Sequence, residues 1–138
     1  MLLPLLALSP LALPQTTWFV DDDATPPGTG TAQDPYASIQ FAIDAPTTVD
    51  GDEVRVLSGD YPEDVLIDSK VIDLRGDTSA GPVRVVKASA ATRSLTIRSV
   101  AAPGVHVAGI EFAQDDVSLE GGGVLVESSV VVLSLIHI

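Results

Sequence analysis

Cysteine is absent from the 138 residues, which excludes disulfides and thiolate zinc centres as sources of stability. Aromatic residues are scarce, with one Trp, two Tyr and three Phe, so cohesion has to come from aliphatic burial and backbone ladders. Positive charge is also short. Seven Lys and Arg face 19 Asp and Glu, a formal net charge of −12, which disfavours nucleic acid and anionic membrane surfaces as partners. Cationic partners, divalent metals and neutral sugars stay open. No apolar run reaches the roughly 20 residues of a membrane span, and the length suits one domain better than two.

The longest apolar run is Met1 to Leu13 (MLLPLLALSPLAL), which has the length of a secretory signal core. Residues 1–15 are therefore read as a signal peptide, although no Lys or Arg precedes the run and the small-residue cleavage pattern near Ala12 to Gln15 is poor. A buried first strand is the alternative, opposed by Pro4, Pro10 and Pro14, each of which removes a ladder donor. The expected location is secreted or at the cell surface, with no membrane insertion once the signal is removed. At the other end Leu133 to Ile138 read LSLIHI, which resembles the translation of a sequencing-adapter end. Residues 133–138 are expected to be adapter-derived, an ordinary strand being the alternative. Residues 16–132 then form the N-terminal part of a truncated domain, whose open C-terminal end is expected to pair with other copies of the fragment.

Within that domain, Asp21 to Pro35 (DDDATPPGTGTAQDP) is dense in turn formers. Ser38 to Ala45 places Ile39, Ala42 and Ile43 at helical spacing, with Ser38 as N-cap and Pro46 as stop, and predicts one short helix. From Glu53 onward, aliphatic pairs two residues apart recur, as in Val54/Val56, Val65/Ile67, Leu95/Ile97 and Val117/Leu119. Period two means strands with one buried face. A longer period of roughly 20 residues runs from Ile72 through Leu95 to Val117, and from Val83 through Val105 to Val124, as in a solenoid. A β-sandwich is the rival, but strands this short suit stacked coils better.

The ordered string Trp18-Phe19-Val20-Asp21, Pro27-Gly28-Thr29-Gly30-Thr31, Asp34-Pro35-Tyr36-Ala37-Ser38-Ile39-Gln40-Phe41-Ala42-Ile43, Gly51-Asp52-Glu53-Val54-Arg55-Val56 and Gly59-Asp60-Tyr61-Pro62-Glu63 resembles the opening of secreted parallel β-helix proteins of the pectate-lyase-like superfamily. The resemblance covers about residues 18 to 76. It implies an all-β, right-handed parallel β-helix with a short N-terminal capping α-helix. It does not imply one activity, since the fold hosts lyases, hydrolases, epimerases, adhesins and surface proteins.

Candidate chemistry is sparse. Asp21, Asp23 and Asp34 are the candidate metal ligands, for Ca²⁺, because an acidic Gly-rich loop can supply oxygen ligands; a solvated turn is the alternative. In an extended segment Asp22 would point away from Asp21 and Asp23. Asp60, Glu63, Asp64 and Asp68 surround one turn and could pair as acid and base in glycoside hydrolysis, or simply keep the turn soluble. Arg84 and His106 would occupy equivalent outward positions on successive coils and are the candidate ligand-binding residues, as would Asp73, Thr96 and Ser118 form an outward row. Pectate lyases of this fold use an Asp cluster holding calcium with an Arg base beside it. No such cluster lies beside Arg84 or Arg98, so the catalytic residues stay unknown. There is no nucleophile elbow, phosphate loop or His/Cys metal spacing. The expected function is an exported surface or binding module with polysaccharide as partner. The alternative is a polysaccharide lyase or glycoside hydrolase whose active site lies in later coils.

Overall fold

The computed structural model describes residues 15–86, 88, 94–98 and 104–112, with the backbone of 117–120. The signal-like segment up to residue 14, the Val124 and Val130 pairs, and residues 133–138 lie outside the described residues. Among the described residues the chain is all-β, with almost no helix. Its elements run β1 (Thr17–Val20), α1 (Ile39–Asp44), β2 (Glu53–Val56), β3 (Gly59–Pro62), β4 (Val65–Asp68), β5 (Asp73–Gly76), β6 (Val83–Val86), β7 (Leu95–Arg98), β8 (His106–Ala108), β9 (Glu111–Phe112) and β10 (Val117–Glu120). They form three sheets with orders β1-β2-β5-β8, β3-β6-β9 and β4-β7-β10, and every strand pair is parallel. From β2 onward the chain visits the three sheets in the same cyclic order each time.

Period-two alternation is what turns these short runs into strands with one dry face. Val65, Ile67, Leu74, Val85, Leu95, Ile97 and Val107 are all buried, while Asp73 and Thr96 between them are partly exposed. The core is continuous across the sheets and includes Ile39, Ala42 and Ile43 from the inner side of α1. Stacking fixes the register: Val54, Leu74 and Val107 are partners in the first sheet, Tyr61, Val85 and Phe112 in the second, and Ile67, Ile97 and Leu119 in the third.

That register corrects the constant-period reading. Leu95 and Val117 are indeed partners, but Val65 completes their row, and Ile72 belongs beside the first sheet, where its carbonyl accepts the His106 N–H. Val83 pairs with Gly59 rather than standing in a row with Val105. The physical reason is that corners differ in length. The step from Val54 to Leu74 is about 20 residues and from Leu74 to Val107 about 33, so a fixed step drifts onto the wrong sheet.

The short helix expected over Ser38 to Ala45 forms as Ile39–Asp44 with Ser38 as its N-cap, but it does not lead the fold. β1 precedes α1 and takes the outermost place in the first sheet. Its free edge is covered by the loop that follows it: Phe19 N–H donates to Gly30 O, Tyr36 N–H to Phe19 O and Asp21 N–H to Tyr36 O, each at 2.9 Å. Gly30 has φ +77°, and a Cβ there would lie 2.4 Å from the Tyr36 ring and 2.8 Å from Trp18, so only glycine fits between the two aromatics.

The other two leading edges are closed by side chains. In β3, Gly59 N–H points to β6 through Pro82 O, so Asp60 N–H points outward, where the Asp22 carboxylate accepts it at 3.2 Å. Pro62 has no N–H to leave open. On β4 the Gln40 amide acts as a surrogate strand, accepting Leu66 N–H at 2.7 Å and donating to Leu66 O at 3.0 Å. Together these contacts leave no long bare template on the leading strands.

Two carboxylates anchor this segment. Glu63 accepts from Ile39 N–H at 2.9 Å, Gln40 N–H at 2.9 Å and Ser38 Oγ at 3.0 Å, satisfying the first turn of α1. Asp52, only 3 % exposed, accepts from Thr16 N–H, Trp18 Nε1 and Val49 N–H at 2.9–3.0 Å. At the far end of the helix, Thr48 Oγ1 and Lys70 Nζ donate to the carbonyls of Ala42 and Ile43.

Candidate functional site: the outer face of the four-stranded sheet

Alternation that buries Val54, Leu74 and Val107 must turn their neighbours outward. The outer face of the first sheet therefore carries two rows, Thr17-Glu53-Asp73-His106 and Phe19-Arg55-Arg75-Ala108, with neighbouring side chains about 4.8 Å apart along each row. Two strands repeat one local device, an acid followed two residues later by Arg. Arg55 binds Glu53 Oε1 through Nε at 2.7 Å and Nη2 at 2.6 Å, and its guanidinium lies over the Phe19 ring, 5.7 Å from the centroid. Arg75 Nε binds Asp73 Oδ2 at 2.7 Å. The hydrogen bond to Asp73, reinforced by its charge, pushes the Arg75 guanidinium further up, so it stays a cation throughout the accessible range. The second oxygen of Asp73 meets His106 Nδ1 at 2.9 Å.

This face sets polar groups of several kinds on a rigid scaffold. The carboxylates hold the guanidinium and imidazole planes in place, which lowers the cost of ordering them on a ligand. Phe19 adds an aromatic surface at one end of the row.

The expected ligand-binding pair is not brought together. His106 stands on the first sheet, but Arg84 is on the second, between Asp60 (Nη1 to Oδ1, 3.9 Å) and Glu111 (Nε to Oε2, 3.0 Å). The equivalence of Arg84 and His106 is thus corrected by the register. Asp73 likewise aligns with Glu53 and His106, while Thr96 aligns with Leu66 and Ser118 on the third sheet.

In the acidic loop, the chain turns at Asp21, with Ala24 N–H donating to Asp21 O at 3.0 Å. The turn brings the carboxylates of Asp21, Asp22 and Asp23 together, with one oxygen from each within 4.8 Å of the others. Asp22 thus joins Asp21 and Asp23 instead of opposing them, and Asp34 stands outside the group. Asp21 Oδ1 accepts the Asp23 N–H, and Asp22 is tied to Asp60.

The four carboxylates around the Gly59 turn are dispersed into structural roles: Asp60 beside Arg84, Glu63 on α1, Asp64 accepting Ala88 N–H, and Asp68 paired with Arg98 at 2.9 Å. Between them Tyr61 is buried. Its hydroxyl donates to Leu57 O at 2.8 Å and accepts from Asp22 N–H at 3.1 Å. Burial, then the charge of Asp22, push its phenol well above the ordinary tyrosine range.

Phe19, Glu53, Arg55 and Arg75 were missed as site residues by sequence reasoning, although the repeated patterns Glu53-Val54-Arg55 and Asp73-Leu74-Arg75 are visible. Their aliphatic centres point inward, so both flanks share the opposite face. Among the described residues no helix is long and apolar enough to cross a membrane. No family model, curated protein or solved structure matches the chain.

Proposed function

We propose that this chain is part of a right-handed parallel β-helix, exported to the cell surface or beyond, that binds polysaccharide on the outer face of its four-stranded sheet. The observation that carries this reading is the pair of outward rows on one rigid sheet, Phe19-Arg55-Arg75 beside Glu53-Asp73-His106. Cyclic passage through three parallel sheets supports the solenoid, in which each coil adds one rung to each row. An extended polymer suits such a face because its repeating units can meet repeating rungs. The acidic balance of the chain favours a neutral glycan over a polyanion. Carboxylate, guanidinium and imidazole edges match sugar hydroxyls as acceptors and donors, and Phe19 offers a ring for stacking.

The test is affinity electrophoresis through gels containing xylan, glucan, mannan or polygalacturonate. Retardation by a neutral glycan, lost in the Phe19→Ala/Arg55→Ala double variant with the melting temperature kept, is the expected result. Equal mobility in every gel overturns the assignment.

A further inference from the structure

One pair on this face has a geometry that binding alone does not require. Asp73 holds His106 on one oxygen and Arg75 on the other, at 2.9 Å from Nδ1 and 2.7 Å from Nε. An ionised carboxylate only accepts, so a neutral imidazole here carries its proton on Nδ1 and presents the Nε2 lone pair away from Asp73. A carboxylate that orients an imidazole in this tautomer prepares it for proton transfer. The His106 side chain is 34 % exposed and that of Arg75 48 %, so both reach the solvent side of the sheet. Among the described residues the other outward arginines differ: Arg55, Arg84 and Arg98 meet carboxylates and no imidazole.

We infer that Asp73 and His106 form a general-base dyad that hydrolyses O-acyl esters on the bound glycan, with Arg75 facing the developing oxyanion; this rests on the carbohydrate reading above. His106 Nε2 takes a proton from water as the water oxygen bonds to the acyl carbon. The carbonyl π pair moves onto its oxygen beside the Arg75 guanidinium. Collapse re-forms the C=O and breaks the bond to the sugar oxygen, which takes the proton from Nε2. One water enters, one carboxylic acid and one sugar hydroxyl leave, and nothing is oxidised or reduced. Glycosidic cleavage fits less well, because it uses a pair of carboxyl groups acting on the glycosidic bond, and Glu53 and Asp73 each bind an arginine.

The experiment compares acetylated xylan, the same xylan after alkaline deacetylation, and triacetin as a small ester. Acetate release and retention on both xylans are measured for the wild type, His106→Gln and Asp73→Asn. The wild type should release acetate at least about a hundredfold faster than free imidazole at equal concentration. His106→Gln should fall to background with the melting temperature kept. Asp73→Asn, a positioning variant, should lower kcat at least about tenfold with little change in KM and alter the pH profile; if it does not fold, His106→Gln carries the test. Retention on xylan without acetate release, or full activity in His106→Gln, overturns the dyad and leaves the carbohydrate reading standing. His106-dependent hydrolysis of triacetin without retention on either xylan or in the glucan, mannan and polygalacturonate gels overturns the carbohydrate reading and keeps the dyad. No retention on any of these glycans together with no hydrolysis overturns both.

Discussion

In the stacked strands, Val65 lies opposite Leu95 and Ile67 opposite Ile97, all at 1 % exposure or less, with nothing but aliphatic contact between them. In the leading segment the joining is done by Asp52, Glu63, Gln40 and Asp22, each matched to particular N–H or C=O groups. The two regions solve different problems. An inner row gains by burying area, and many aliphatic sequences would serve. A strand edge has to satisfy individual backbone groups, so one side chain of the right length and polarity is needed at each place. The stack is therefore tolerant in identity and intolerant of charge, whereas the leading segment is tolerant of surface change and intolerant of losing single acceptors.

The largest effect should come from charging the stack. Ile97→Asp places an unpaired carboxylate in the dry interior and should cost more than about 4 kcal/mol, enough to abolish folding, while Thr96→Asp next to it should stay within about 0.5 kcal/mol. Circular dichroism with urea denaturation reads both, and equal tolerance at the two sites would remove the contrast between the inner and outer faces.

Next in size is the loss of a buried acceptor in the leading segment. Asp52→Ala strands three donors, including the Trp18 indole, and should cost about 3 kcal/mol. A red-shifted Trp18 emission and faster amide exchange at Val49 should accompany the lower denaturation midpoint. If the midpoint is unchanged, Asp52 is not an anchor.

Gln40→Glu should cost about 1–2 kcal/mol, since it keeps the acceptor for Leu66 N–H but sets a second carboxylate oxygen against Leu66 O. Gln40→Met, which removes both partners' contacts, should expose β4 and promote association at high concentration, measured by sedimentation velocity. A monomer of wild-type stability from both variants would show that the amide does not protect that edge.

Tyr61 sharpens the comparison through pH. Its folded-state phenol is raised above the unfolded value, so its contribution is fully present below the ordinary phenol range of about 10 and is lost as pH rises beyond it. In an ultraviolet titration Tyr61 should ionise together with unfolding, and Tyr61→Phe should remove that part of the alkaline loss of stability. Ionisation of Tyr61 at an ordinary value with the fold intact would contradict its burial beside Asp22.

The smallest effect should follow Arg84→Ala. Its ion pairs are half exposed, so the change in stability should stay below about 0.5 kcal/mol by denaturant titration. A loss several times larger would mean that the outer rungs of the second sheet act as anchors in their own right.

Composition and period-two pattern by themselves determined the all-β character, the inward residues such as Leu74 and Ile97, and the absence of thiol chemistry, because alternation and residue type are local properties of the chain. The partners across the sheets were decided only by tertiary structure. Corners of unequal length make the sequence distance between stacked residues variable, so Asp73 meets His106 rather than standing in a row with Thr96. The same holds for Asp52, Glu63 and Gln40. As letters they are ordinary surface residues, and they become structural only because the leading strands present unpaired donors and acceptors at their positions.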